Sequence, residues 1–292
     1  MGDNMLTVSK YHGCGNDFLL TEDVCYSEAQ KKHMSTVLCD RHTGIGADGM
    51  IFVQSDPLTM EIYNSDGSFA PMCGNGIRCF AKYALDRQLV YGNDFKVQTA
   101  VGTKQLHVHC LEPFYVSVNM GKACFQCEQM QIRNHQLIKD YPLQIQDRTL
   151  LITSVFMTTL HTVIFVDKND CYSFAEIGAA VHEHPLFSAK TNVDFVEITD
   201  KSNIRVTTYE RGVGMTLACG SGCCAAVWVA WLANKVERDV CVHLKKGTLR
   251  IQITEDEQLI MSGGADKITD AQPAKALLDQ SCRESKAHKL KR

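Results

Sequence analysis

The chain of 292 residues carries one short motif twice, 146 positions apart. Met72-Cys73-Gly74-Asn75-Gly76 opens an apolar run from Ile77 to Leu85, and Ala218-Cys219-Gly220-Ser221-Gly222 opens another from Cys223 to Ala233. The register reaches upstream: Asp48 precedes Cys73 by the same 25 residues that separate Asp194 from Cys219, and Asn64 and Glu210 each stand nine residues before their cysteine. Such spacing predicts one folding unit duplicated. Two copies of a fold commonly face each other across a pseudo-twofold axis, so equivalent residues can meet at the junction, where ligand pockets form. The equivalent residues here are thiols. Two opposed proton carriers suit a reaction that takes a proton from one face of a carbon and returns one to the other, which is racemisation or epimerisation.

A chain of this length suits two domains of about 100 to 150 residues each. We expect the first to span residues 1–122, with residues from about 266 to 292 returning to it, and the second to span 123–265. The net charge of −3 offers no reason to expect nucleic acid or an anionic membrane as partner. Arg283, Lys286, Lys289, Lys291 and Arg292 form a short basic tail, read as solvated. Met1 to Lys10 lacks the apolar core of a secretory signal, and the longest apolar stretch, Cys223 to Ala233, is far short of the roughly 20 residues of a membrane span. A cytoplasmic protein is expected. Fourteen cysteines then read as reduced thiols, most of them small buried hydrophobes. Cys124-Phe125-Gln126-Cys127 has no second pair at a zinc-finger spacing, and His182-Glu183-His184 is cut short by Pro185, so no metal is expected.

Short alternating or β-branched runs recur between turn signals, from Asp48 to Val53 through Leu259 to Ser262, with about four helices among them. Ser27 begins one helix running toward Cys39, Ser173 with Glu176 forms a capping box for another, and the remaining two start at the duplicated motifs. The fold class expected is α/β of the α+β kind: two pseudo-symmetric domains, each a β-rich, barrel-like sheet wrapped around a central helix. Alternating strand-helix-strand units are missing from the pattern, which argues against a doubly wound parallel sheet. Gly44-Ile45-Gly46-Ala47-Asp48-Gly49 fits a Gly-x-Gly-x-x-Gly pattern but runs into a strand instead of a helix, so the dinucleotide reading fails on context.

Each duplicated cysteine stands at the threshold of a helix, flanked by glycines that leave amide hydrogens bare. Such a helix start stabilises anions by about 0.3 to 2 kcal/mol. The thiol pKa is therefore expected to fall from about 8.5 toward neutrality, and a substrate carboxylate is expected to settle on the amides. Amino-acid α-protons are weakly acidic, and many enzymes use pyridoxal phosphate as an electron sink. No lysine context here argues for a Schiff base, so no cofactor is expected. At roughly 3 kcal/mol per oxyanion donor, three or four donors would supply much of the acceleration. The duplication also pairs His12 with His161, 149 residues apart, and a histidine and a carboxylate such as Glu210 suit proton exchange with a thiol.

His12-Gly13-Cys14-Gly15-Asn16-Asp17-Phe18, Arg41 to Gly49, Asn64-Ser65-Asp66-Gly67-Ser68, Met72 to Cys79, Thr191-Asn192-Val193, and Tyr209-Glu210-Arg211-Gly212 with Ala218 to Gly222 together resemble the diaminopimelate epimerase family, from Ser9 to about Thr269. The resemblance implies a cofactor-independent two-base mechanism in a cleft between two domains of similar fold. It implies Cys73 and Cys219 as acid/base thiols with His161 and Glu210 as their proton-handling neighbours. Gly74, Asn75, Gly220 and Ser221 would hold the reacting carboxylate. Asn16, Asn64, Asn192, Glu210 and Arg211 would grip the rest of a small amino-acid substrate, Arg211 by a forked contact. Where the family has Gly-Asn-Pro-His, this chain has Thr158-Thr159-Leu160-His161, which puts Thr159 in the substrate-binding set and alters the distal pocket. Thr269 replaces a tyrosine of the family's dimer contact, leaving a homodimer possible but unsupported by that residue.

The leading function is interconversion of L,L- and meso-diaminopimelate, a step of lysine biosynthesis. The alternative is a racemase of another free amino acid, such as histidine, on the same scaffold. A cysteine hydrolase would give the second, register-matched thiol no role. Facing thiols would also be open to oxidation to a Cys73 to Cys219 disulfide.

Overall fold

The structure is a computed structural model, and it describes residues 6–125, 130, 132, 137–168 and 173–281. The chain divides into two compact units, one of residues 1–116 with 264–292 and one of residues 117–263. Both are mixed α and β, dominated by strands.

The first unit runs β1 (Val8–Gly13), β2 (Asn16–Thr21), α1 (Glu28–Cys39), β3 (Gly49–Ser55), β4 (Leu58–Asn64), β5 (Phe69–Ala70), α2 (Gly74–Asp86), β6 (Asp94–Thr99) and β7 (Gly102–Leu111). β8 (Phe114–Gly121) carries the chain into the second unit. There it forms β9 (Tyr141–Ile145), β10 (Arg148–Met157), β11 (Thr159–Phe165), α3 (Phe174–His182), β12 (Asn192–Asp200), β13 (Asn203–Glu210), β14 (Gly214–Met215), α4 (Gly220–Leu232), β15 (Asp239–Leu244), β16 (Gly247–Ile253) and β17 (Leu259–Gly263). The chain then returns for β18 (Asp266–Ala271) and α5 (Lys275–Ser281).

The element order β1 to β8, with α1 and α2, recurs as β10 to β17, with α3 and α4. Pairing repeats too. β2 lies parallel to β3 with Phe18 opposite Gly49, and β11 lies parallel to β12 with Ile164 opposite Phe195, at the motif offset of 146. β18 pairs antiparallel with β1, and β9 pairs antiparallel with β10. Asn64 and Glu210 are the last residues of the corresponding strands β4 and β13.

This pairing corrects one inference from sequence. Strand-helix-strand crossovers do occur, two in each unit: β2-α1-β3 and β4-α2-β6, then β11-α3-β12 and β13-α4-β15, each joining parallel strands. They escape pattern reading because antiparallel hairpins intervene between them. A second correction concerns the histidines. His12 lies on β1 and His161 on β11, the counterpart of β2, so the two are not structural equivalents. Their spacing of 149, three more than the motif offset, already carried that difference.

Helices α2 and α4 are buried along most of their length. From Ile77 to Ala81 every residue of α2 is buried, as is every residue from Gly222 to Ala230 in α4. α2 packs on β1, β2, β3, β4 and β18, and α4 on β10, β11, β12, β13, β16 and β17. Each is the central helix of its unit. With strands on several sides, a helix needs an apolar surface all round, which is what Cys223-Cys224-Ala225-Ala226-Val227 supplies. The outer helices fill smaller cores: Met34, Leu38 and Cys39 of α1 with Leu19, Met50 and Phe52, and Ile177 and Val181 of α3 with Val193 and Phe195. Leu277 and Leu278 of α5 pack on the α1 core, adding a helix the sequence pattern did not reveal.

Ser27 caps α1 through a reciprocal capping box with Gln30. Ser173 caps α3 by accepting from the Glu176 amide. The Gly44 to Gly49 loop follows α1 and runs into β3, and its amides are spent: Gly44 donates to Asp40 O, Ile45 and Gly46 to Leu38 O, and Ala47 to Cys39 O. Amides turned onto a helix C-terminus cannot cradle a phosphate. Cys127 and the basic tail lie outside the described residues. Among the described residues, no helix is long and apolar enough to cross a membrane.

Candidate active site

In the first unit Cys73 is the N-cap of α2, in extended conformation at φ −139° and ψ 122°. Its sulfur accepts from the Gly76 amide at 3.4 Å and lies 3.8 Å from Asn16 Oδ1. Asn75 Nδ2 donates to the same Asn16 oxygen at 3.1 Å, while Asn16 Nδ2 donates to Asp48 Oδ2 at 2.6 Å. The amide of Asn16 is thereby oriented: its nitrogen faces a carboxylate, its oxygen faces the thiol. Arg41 bridges Asp17 and Asp48, each at 2.7 Å. Burial works to raise the Asp17 pKa, but the Arg41 and Lys10 hydrogen bonds outweigh it and hold the carboxyl below its ordinary range. Asn64 is engaged within its own turn, its side chain donating to Ser68 Oγ at 2.9 Å. His12 stands apart, with Nε2 at 4.0 Å from Asp266 Oδ2.

Beneath this helix start lies Arg78, 0% exposed. Its guanidinium donates to Gly74 O at 2.9 Å, Asn75 Oδ1 at 3.0 Å and Gly264 O at 3.1 Å, and lies 3.6 Å from Cys14 Sγ. A Cβ on Gly13 would stand 2.9 Å from this guanidinium, so glycine there leaves room for it. Arg78 fixes which end of the Asn75 amide accepts, since a guanidinium can only donate. Sequence reasoning missed this residue, although a cation in the middle of an apolar run was a readable signal.

The second unit repeats the plan with different groups. Cys219 is the N-cap of α4 at φ −124° and ψ 110°, buried at 6% exposure, with Sγ 3.5 Å from Ser221 Oγ. Ser221 Oγ is 3.0 Å from His161 Nε2, and His161 Nδ1 is 2.7 Å from Asp194 Oδ2. Thr159 Oγ1 and Asn192 Nδ2 also face Nε2, at 3.2 and 3.4 Å, and Asn192 Nδ2 donates to Thr159 at 2.9 Å. Asn192 Oδ1 accepts the Arg211 amide at 2.8 Å, while the Arg211 guanidinium reaches Ala189 O at 3.0 Å. Glu210, ending β13, accepts from Thr216 Oγ1 at 2.7 Å. Gly222 has to be glycine, because a Cβ there would run into the Asp194 carboxylate.

Each unit thus joins an aspartate, a side chain from the preceding parallel strand and an N-cap thiol: Asp48, Asn16 and Cys73 in one, Asp194, His161 with Ser221, and Cys219 in the other. The aspartates are the pair found 25 residues ahead of the cysteines. Their role as anchors went unread, since β-strand sequence does not say which buried partner a carboxylate meets. Among the described residues, no group of three or more His, Cys, Asp or Glu is placed to hold a metal ion.

The family model for diaminopimelate epimerase matches residues 8–126 and 153–268, taking in both cysteine motifs. The chain belongs to the diaminopimelate epimerase family. Diaminopimelate epimerase of Caldanaerobacter subterraneus is 39% identical over 269 residues, covering 89% of this chain and 96% of its own. That of Synechocystis is 38% identical, covering 91% and 98%, and that of Methanothermobacter thermautotrophicus 36%, covering 86% and 92%. Solved structures share the fold at much lower identity. A probable proline racemase of Agrobacterium radiobacter superposes with a TM-score of 0.71 at 12% identity, covering 92% of this chain and 93% of that one. A hydroxyproline epimerase of Agrobacterium vitis gives 0.68 at 11%, covering 93% and 91%. As a member of the diaminopimelate epimerase family the chain is an isomerase, an epimerase.

In this epimerase the Cys219 thiol departs from what a helix start alone would produce. Burial, then the charges of Glu210 and Asp194, push its pKa well above the ordinary thiol value, and the Ser221 hydroxyl and Gly222 amide only partly offset them. Desolvation outweighs the helix dipole. Burial likewise raises Glu210, against the Thr216 hydrogen bond and the nearby His161. A raised thiol pKa means less thiolate at a given pH. In the resting enzyme Cys219 therefore alkylates with iodoacetamide at mildly alkaline pH far more slowly than the exposed Cys25 and Cys110. Peptide mapping over time checks this, and equal rates at the three positions would contradict it.

Proposed function

We propose that this epimerase interconverts L,L- and meso-diaminopimelate without an organic cofactor, with Cys73 and Cys219 as its two acid/base groups. The observation that carries this reading is the repeated arrangement of an N-cap thiol against a polar side chain anchored by an aspartate, once in each unit. Relatives named diaminopimelate epimerase, at 36 to 39% identity over nearly their whole length, favour that substrate.

One thiol, as thiolate, removes the α-proton while the other, as thiol, supplies a proton to the carbon. The balance is one C–H bond broken and one formed, with the proton inventory of the two sulfurs exchanged. The amides at Gly74 and Asn75 and at Gly220 and Ser221 are suited to hold the α-carboxylate, where they stabilise charge as the proton leaves. Glu210 and His161 exchange protons with the thiols. Asn16, Asn64, Asn192 and Arg211 bind the remainder of the substrate, with Thr159 shaping the distal end.

Incubation in deuterated water with L,L-diaminopimelate, L-histidine and other amino acids tests this directly. The expected result is α-deuterium and the opposite configuration at one centre of diaminopimelate. Exchange with none of them would defeat the epimerase chemistry proposed here, and exchange confined to histidine would move the activity to another substrate.

A further inference from the structure

The hydrogen bonds beside Cys219 have a direction set by Asp194. Its carboxylate can only accept: Oδ1 takes the Thr208 hydroxyl at 2.8 Å, and Oδ2 faces His161 Nδ1 at 2.7 Å, in a pair whose side chains are both 0% exposed. A carboxylate opposite Nδ1 places the ring proton there, which leaves Nε2 with a lone pair. Ser221 Oγ stands 3.0 Å from that nitrogen and 3.5 Å from Cys219 Sγ. The serine can thus donate its hydrogen to His161 while accepting from the thiol.

We propose that Asp194 is a positioning residue and that the Ser221 hydroxyl carries the Cys219 proton to His161. This rests on the two-thiol reading above and adds a route for forming the thiolate. The Cys219 S–H bond breaks as its proton passes to Ser221 Oγ, and the original Ser221 proton passes to His161 Nε2. The products are a thiolate, an unchanged serine and an imidazolium paired with the Asp194 carboxylate. No electron transfer or co-reactant is involved. When the cycle resets, the same path returns the proton.

The order Asp, His, Ser is the one that activates a nucleophilic serine in hydrolases. Here a sulfur lies against the serine oxygen, so the proton drawn by the histidine comes from the thiol. Glu210 is the other group hydrogen-bonded to the Cys219 thiol, with its pKa raised by burial, and the Ser221 variants separate a direct exchange with Glu210 from the relay. Thr159 also donates toward Nε2, which makes it a competitor for the lone pair but no carrier in this relay, which runs through the Ser221 contact to the thiol.

The test uses the full chain with Ser221→Ala, Ser221→Thr, Asp194→Asn and Cys219→Ala, reading inversion of L,L-diaminopimelate and the ¹⁵N shifts of His161. Ser221→Ala should lower kcat on the order of 10²-fold, as loss of a proton-transfer group does, and Ser221→Thr should restore most of it. In the unaltered enzyme His161 should show the Nδ1–H tautomer. Asp194→Asn, whose amide donates to Nδ1, should switch it to Nε2–H and lower kcat on the order of 10⁴-fold, with thermal unfolding still cooperative. Unchanged activity in Ser221→Ala, no recovery in Ser221→Thr, or an Nε2–H tautomer in the unaltered enzyme would each overturn the relay. Inversion by Cys219→Ala would instead remove the two-thiol reading beneath it.

Discussion

Alanine at Cys73 or at Cys219 removes inversion almost completely, with kcat falling on the order of 10⁴-fold in either variant, the upper range for loss of a positioned acid or base. The two losses are not additive, because each thiol completes only half of one reaction: the double variant is little worse than either single one. Both variants fold. As caps both sulfurs are weak: Cys73 accepts from the Gly76 amide at a long 3.4 Å, and the Gly222 amide is the corresponding donor toward Cys219. Removing a weak cap costs about 0.5 kcal/mol. A chiral assay of the diaminopimelate stereoisomers, run beside thermal unfolding, separates chemistry from stability. Substantial turnover by either well-folded variant would show that one thiol is dispensable.

The second large effect falls on stability. Arg78→Ala is expected to destabilise the first unit by about 3–5 kcal/mol, the range for removing a buried charged group whose partners stay behind. Three acceptors, Gly74 O, Gly264 O and Asn75 Oδ1, lose their donor, and the space of a fully buried guanidinium opens beside Gly13. The loss corresponds to a fall in Tm on the order of 10 °C for a unit of this size. Arg78→Lys keeps the charge, but its three donors sit on one nitrogen and cannot span acceptors met by three separate guanidinium nitrogens, so it recovers only part of the loss. A Tm unchanged in Arg78→Ala would mean that the helix start is held by other contacts.

Several features of the fold are legible in the chain. The two cysteine motifs mark the starts of α2 and α4, because a glycine-flanked turn followed by an unbroken apolar run has few other solutions. Ser27 marks the start of α1, and the Gly44 to Gly49 loop is marked as no nucleotide site by the strand that follows it. Less legible are strands β1, β2 and β18. β1 and β2 carry the polar motif residues His12, Asn16 and Asp17, and β18 is largely exposed, so neither shows the apolar alternation that identifies a strand. The crossovers were hidden for a related reason, since parallel partners lie far apart along the chain and pairing is a property of space.

The repeat, the helix-start thiols and the family motifs are written in residue identity and spacing, which depend on local backbone geometry and survive without any long-range contact. Folding decided the rest. Asp194 reaches His161 across 33 residues and Arg78 reaches Gly264 across 186, and neither partner is marked by its neighbours in the chain. The Cys219 thiol was shifted the same way: the helix start lowers its pKa, but burial, with Glu210 and Asp194 nearby, pushes it well above the ordinary value. Dielectric surroundings are made by distant parts of the chain packing together, and no short motif contains them.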